Sequence, residues 1–457
     1  TGIENNEILI TQKNIPEIID FNFHVKPIIS DKCFACHGPD EKERAANLRL
    51  DTEDGLYQLT EELSSYVVDK KSPEKSEMLN RIFHDNPSIV MPPPESNLVL
   101  SDYEKEILNK WILQGGKWKK HWSYNKPIKP KIPAVKNKSW INNDIDYFTL
   151  KNIEANGLNI SIVEDKEILI RRLYFDLIGL PPSVEEIDKF LNDQTEKKKK
   201  KIVDKLLNSE NYGERMASIW MDIARYGDSH GYQDDLERVM WPWRDWVIHA
   251  YNSNLPYDEF ITWQLAGDLI PNATKEQIIA TGFNRNHKIT QEGGVIPEEY
   301  RTEYVADRTN TTSKMMLGLT MECARCHSHR NDEISHDEFY GMFSYFNNID
   351  EEGLITYQDK APKPNITVSR KDIDNDLGFI KLPDSIDEVT FMVMKETENL
   401  RKTYVLERGS YDAPSREVKP MTPSAVLPIN KSNSNRLDLA NWFFDDENPL
   451  TSRVVVN

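Results

Sequence analysis

Residues 33–37 read Cys-Phe-Ala-Cys-His, and residues 323–327 read Cys-Ala-Arg-Cys-His. The chain contains 4 cysteines, and these two copies of one pattern use them all. A disulfide framework would scatter its cysteines around a small core. A zinc site would bring two Cys pairs together without needing a His directly after each. Cys-x-x-Cys-His is the attachment signature of c-type haem: the thiols bond the porphyrin vinyl groups, and the adjacent imidazole reaches the iron from the same turn. Cys33, Cys36, Cys323 and Cys326 are therefore read as attachment points for two covalently bound haem c groups, with His37 and His327 as iron ligands.

The 457 residues allow about three domains. With 38% apolar and 10% aromatic residues, the chain can build real cores. No stretch approaches the roughly 20 apolar residues of a membrane span. The formal charge of −18 argues against binding nucleic acid or anionic lipid and suits a basic partner. The chain begins at Thr1 without Met or signal peptide, which reads as processed. Thioether attachment of haem takes place outside the cytoplasm in bacteria, so the motifs imply an exported protein. The reading leaves room for a lipid anchor ahead of Thr1. The closing "NRLDLANWFFDDENPLTSRVVVN" is apolar and structured in character, which reads as a native chain that continues.

Residues 1–118 have the order of parts of a small cytochrome c. Ile18, Phe21, Val25, Ile28 and Ile29 fall on one helical face leading into the first motif. "SIVMPPPESN" sets Met91 ahead of three prolines, which stiffen the backbone and remove N–H donors. Met91 is read as the second axial ligand, with His84 the runner-up; Met/His ligation raises the reduction potential. In "SDYEKEILNKWILQGG", Ser101 and Glu104 make a capping box and Gly115–Gly116 the stop. Tyr103, Ile107, Trp111 and Ile112 fall on its inner face.

Residues 119–140 form a Pro/Lys linker, extended over the surface, and residues 141–350 read as a helical domain carrying the second haem. "KEILIRRLYFDLIGLPP" is amphipathic and stops at Gly179. The lysine run at 197–201 reads as a solvated helix start, and Trp241, Trp243 and Trp246 as core. Residues 351–457 change period: "NITVSR", "EVTFMVMKE" and "TYVLERG" read as one small β unit. The fold class is mainly α, with a cytochrome c-like helical module, a larger helical haem-bearing domain and a small β-containing C-terminal segment.

"FACHGPD", "MPPP", "HWSY", "RRLYFDLIGLPP", "LAGDLIP", "EGGVIPEEYRTEYVADRTNTT" and "LGLTMECARCHSH" occur in that order. The order resembles the planctomycete-type cytochrome c domain proteins, in which a cytochrome c module precedes two domains of unknown function. The family has no settled activity, and its members resemble oxidoreductases of polysaccharide-degrading bacteria; by the same resemblance, "LDLANWFFDDENPLTSRVVVN" looks like the start of the last domain. Ser328 stands where the family pattern often has Asp, which weakens a role for the flanking His329.

The sixth ligand of the second haem is left open between His121, His287, His329, Met315 and Met316, or an open iron. The run Glu292, Glu298, Glu299, Glu303, Asp307, Arg308 is either a solvated helix face or the wall of a haem-side pocket. On the second reading His287, Glu292, Glu298 and Arg308 are the catalytic candidates, because a carboxylate can take a proton while the iron takes an electron. The loop 228–235, "DSHGYQDD", has cation-like oxygen ligands without a calcium template's spacing. Two functions follow. One is a dihaem oxidoreductase that takes electrons from a substrate, carbohydrate-related by the resemblance, at the second haem and passes them to an external acceptor protein. The other is a relay whose remaining domains bind a partner or polysaccharide. A dihaem peroxidase is the first function run in reverse.

Overall fold

Asp20 starts the first helical stretch by accepting hydrogen bonds from the backbone N–H groups of Asn22 and Phe23, satisfying donors that no preceding turn can. The π-helical turn Phe21–Val25 runs into α1 (Lys26–Lys32) and, past Cys33, α2 (Phe34–His37). This computed structural model describes residues 15–41, 43–60, 64–195, 197–429, 431 and 433–457. Phe21, Val25, Ile28, Ile29 and Phe34 are buried, whereas Ile18 is 79% exposed. Ile18 lies ahead of the Asp20 cap, so it never joins the helical face it was assigned to. α3 (Asp102–Leu113) begins at the predicted Ser101–Glu104 capping box. It buries Ile107, Trp111 and Ile112 against that first face, with Trp111 5.5 Å from Phe21 between ring centroids.

Compactness divides the chain into two units. The first comprises Thr1–Asn125, Val295–Asn348 and Thr397–Asn457; the second comprises Lys126–Gly294 and Ile349–Glu396. The break at Asn125 falls inside the expected linker, whose residues 125–134 are almost all exposed.

In the second unit, α4 (Lys166–Ile178) ends at Gly179, as its sequence predicts. α4, α5 (Val184–Asn192) and α6 (Lys198–Leu207) enclose Ile170, Tyr174, Phe190 and Leu206. The lysines opening α6 are exposed or half-buried, as a solvated face requires. α7 (Glu210–Ala224) packs on α8 (Trp241–Asn252). Trp243 and Trp246 are fully buried and Trp241 half-buried. Trp246 stacks on Phe260 at 5.5 Å and 8°. The Trp220 indole, itself buried, donates to Gln264 Oε1 at 2.8 Å, so burial leaves no orphan N–H.

Gly294 adopts φ +91°, a conformation costly for other residues, and there the chain passes back to the first unit. It continues as α9 (Pro297–Leu317) and α10 (His336–Ser344). The expected single β unit is instead two antiparallel ribbons. β1 (Asn365–Ser369) pairs β2 (Glu388–Met392) in the second unit, with Val368 opposite Val389 and Ile366 opposite Phe391. β3 (Thr403–Leu406) pairs β4 (Pro414–Val418) in the first and packs on α10. A two-stranded ribbon is marginal alone, so each leans on its own unit's interior. The fold is mainly α with a small β-containing C-terminal part. Among the described residues, no helix is long and apolar enough to cross a membrane.

Candidate haem sites

The first motif is one turn of helix. The backbone N–H groups of Cys36 and His37 both donate to the Cys33 carbonyl, at 3.1 and 2.8 Å. Cys33 and Cys36, both free thiols, and His37 therefore leave the same turn. Phe34 anchors that turn in the core, and Cys33 packs on the same cluster. Burial pushes the Cys33 thiol up to about 12. Burial also pulls the His37 imidazolium down; the nearby Ala45 backbone opposes this and the Arg81 charge adds to it. A metal-ligating His must be neutral, and His37 Nδ1 is buried with no protein partner. Two thiols on one turn beside an imidazole with spare coordination capacity fit a covalently held haem. Met91 is half-buried, and its N–H donates to the carbonyl of Arg81 at 3.1 Å. Arg81 is the residue whose charge His37 senses, so the two expected axial residues share this neighbour. The His84 ring is occupied differently: its Nδ1 accepts from the Asn86 N–H at 2.9 Å.

The second motif belongs to the same unit as the first. It sits on a 3-10 turn, Glu322–Arg325, with Cys323 and Cys326 exposed and both thiols free. Polar contacts hold it. The Arg325 guanidinium forks onto Glu303 of α9 and donates to the Gly409 carbonyl at 3.2 Å. The Arg325 carbonyl accepts from Tyr340 Oη and faces His336 Nε2, each at 2.9 Å from α10. The Cys326 thiol donates to the Arg408 carbonyl at 3.2 Å. Gly409 has φ +75°, and a Cβ there would lie 3.2 Å from Cys326 Sγ. His327 Nδ1 lies 2.7 Å from the Ser328 carbonyl. A carbonyl can only accept, so Nδ1 carries the proton and the lone pair falls on Nε2, the arrangement of a metal-ready imidazole. The donor set fits a second haem.

Two contacts tie this loop to the N-terminal module. Asp40 Oδ2 is 3.6 Å from His327 Nδ1, and Lys26 Nζ is 3.5 Å from Glu333 Oε1. The chain reach of three residues, about 11 Å at most, separates Asp40 from His37. The two motifs are near neighbours.

The remaining candidates spread over both units. His121 is in the first, its Nδ1 2.6 Å from Ser123 Oγ, lowered by burial and sensing Asp332 beyond the second motif. His329 Nδ1 accepts from the Asn331 and Asp332 N–H groups. On α9, Met316 is fully buried and Met315 half-buried. His287 lies in the second unit, buried, with Nδ1 2.8 Å from the Lys288 carbonyl and Nε2 3.8 Å from Glu351, which also binds Arg285. Glu292 is exposed in that unit. Glu298 and Arg308 lie on α9 in the first unit. Glu298 is held below the usual carboxylate range by its hydrogen bond from Arg301, and Arg308 is buried. The stretch from His287 to Arg308 is thus cut by the unit boundary at Gly294. Within that stretch, the carboxylate joined to the second motif is Glu303, through Arg325. The sequence assigned no role to Asp40, His336, Tyr340 or Arg408, and Glu303 entered only as a member of the acidic run. Asp40 stood inside "FACHGPD" and Glu303 inside the acidic run, so the residues were in view without their partners. No group of three or more His, Cys, Asp or Glu among the described residues is placed to hold a metal ion, the loop 228–235 included.

The second unit also has a cleft of about 990 Å³, lined among others by Trp241, Arg244, Asp245, His249, Phe379 and Lys381. The His249 ring stacks on Phe379 at 4.8 Å and 13°.

Residues 33–95 match the family model for planctomycete cytochrome C, and residues 144–351 match that of a protein of unknown function (DUF1549). The two matches, in this order, are the architecture of the planctomycete-type cytochrome c domain proteins. The first match begins at Cys33, and a cytochrome c module implies covalently bound haem c there. The second match spans the second motif and both units, so the family segment and the compact units divide the chain differently. No curated protein and no solved structure matches this chain.

Proposed function

We propose that this chain is an exported dihaem c-type cytochrome and oxidoreductase that takes electrons in at its second motif and passes them out through its first. The observation that carries this reading is the approach of Asp40 to His327, 3.6 Å, which makes the two attachment motifs neighbours within one unit. When bound, the haems supply one-electron chemistry. Cys33, Cys36, Cys323 and Cys326 would hold them covalently, with His37 and Met91 ligating the first iron and His327 the second. The exposure of Cys323 and Cys326 suits the second motif to meeting a reductant, while the Phe34 side of the first is closed by core.

A carbohydrate-derived reductant is the substrate class we favour. The cleft of the second unit is lined by aromatic Trp241 and Phe379, by Lys381 and by the Arg244–Asp245 ion pair, a mixture suited to a polyhydroxylated ligand. The acceptor is then an external protein. The charge of −18 suits a basic one.

Intact mass of the mature protein tests the reading. Two haems above the polypeptide mass are expected, falling to one in the Cys33→Ser/Cys36→Ser double variant and to one in Cys323→Ser/Cys326→Ser. A single haem in the unmodified protein overturns it.

A pure relay is the second reading, favoured by one observation: His287 and Glu298 are engaged by Lys288, Glu351 and Arg301. Under it, His287→Ala leaves both haem spectra and the rate of electron uptake from the natural reductant unchanged. Under the enzyme reading, uptake slows.

A further inference from the structure

We propose that Asp40, which belongs to the loop of the first motif, positions and polarises His327 and thereby sets the reduction potential of the second haem; this rests on the two-haem reading above. The Asp40 carboxylate is 8% exposed and lies 3.6 Å from His327 Nδ1. At that distance it does not replace the Ser328 carbonyl, which takes the Nδ1 proton at 2.7 Å. It adds a negative charge on the same side of the ring. A buried charge is weakly screened by salt, so its field on the N–H persists in solution. A hydrogen-bonded or negatively flanked imidazole N–H makes the opposite nitrogen a stronger donor to a metal. Stronger donation favours the ferric state and lowers the potential, one of the levers by which a protein tunes haem.

The charge comes from the neighbouring module and not from the second motif's own loop. Arg325, the charged residue inside the motif, is turned to Glu303 and Gly409. The arrangement also gives direction. Met/His ligation raises the potential of the first haem, and Asp40 lowers that of the second. Electrons are then driven from the second motif to the first.

The experiment is potentiometric titration of the holoprotein, followed in the haem absorption bands. The step belonging to the second haem is the one missing from Cys323→Ser/Cys326→Ser. Asp40→Asn keeps the shape and removes the charge. It is expected to raise the second haem's potential by more than it raises the first's, and to shrink the gap between them. Asp40→Glu retains the charge and is expected to stay near the original value. An Asp40→Asn variant that carries two haems with the second step unmoved, or moved no more than the first, overturns the proposal and leaves the dihaem reading intact. One haem in the unmodified protein overturns both. Should Asp40→Asn fail to mature, Asp40→Ser, which also removes the charge, decides: a rise of the second step beyond that of the first supports the role for the charge, and no such rise refutes it.

Discussion

The two Cys-x-x-Cys-His motifs share a pattern and almost nothing of what holds it. The first is held from behind by apolar burial: Phe34 is 2% exposed and sits in the cluster of Phe21, Val25, Ile29, Trp111 and Ile112. The second is held from the side by ions and hydrogen bonds. Arg325 occupies the position between the cysteines that corresponds to Ala35 and ties the loop to Glu303, Gly409, Tyr340 and His336. Burial is indifferent to salt and punishes lost volume. An ion pair with Glu303 42% exposed is weakened by salt and worth little alone. One motif is a piece of core; the other is a surface loop pinned at several points.

Truncating the core anchor should have the largest effect. Phe34→Ala removes a buried ring and should cost about 3–5 kcal/mol locally. Because the chain has two units, a single melting temperature would mix them. Amide hydrogen exchange resolves the effect by region: residues 21–37 should exchange faster while 322–328 keep their rates. Equal loss of protection in both stretches would show that the motifs share one cooperative core, and the contrast would fail.

The reciprocal change is milder. Arg325→Gln deletes the fork to Glu303 and should destabilise the 322–328 loop by about 1 kcal/mol, the upper end for a partly exposed pair. Exchange there should quicken with residues 33–37 unaffected. Raising salt in the unmodified protein should move 322–328 in the same direction and leave the first motif alone. A salt-insensitive second loop would mean that the backbone bonds from Tyr340 and His336 carry it.

Local signals made much of this legible in the sequence. The Ser101–Glu104 capping box, the Gly179 stop, the buried face of Phe21, Val25 and Ile29 and the tryptophans of α8 are all set within a few residues. What could not be read was long-range. Nothing near Glu303 says that its partner is Arg325, and nothing near Asp40 points to His327. Alternating and β-branched runs identified β1, β2 and β3, but not β4, nor that β1–β2 and β3–β4 belong to different units. The stretch from His287 to Arg308 was continuous in sequence, yet the chain changes unit within it, at Gly294. Ile18 failed for a local reason, because the cap at Asp20 begins the helix after it.

The contrast should persist in the thiols of the haem-free chain, as the smallest of these effects. The thiolate is the species that reacts with an alkylating agent. Burial disfavours that charged form at Cys33 and pushes its thiol from an ordinary value of 9.0 to about 12. At pH 8, iodoacetamide should therefore label the exposed Cys323 and Cys326 well before Cys33, as peptide mass spectrometry after timed quenching would show. A folded value above the unfolded one means that this thiol's contribution to stability is complete below pH 9 and is lost as pH rises toward about 12. Labelling at Cys33 should thus climb steeply across that window, through both ionisation and loosening of the module. Phe34→Ala should bring the climb to lower pH by opening the same core. If Cys33 instead reacts at pH 8 as fast as Cys326, the first motif is not sheltered until haem is attached, and the two motifs differ only in the finished protein.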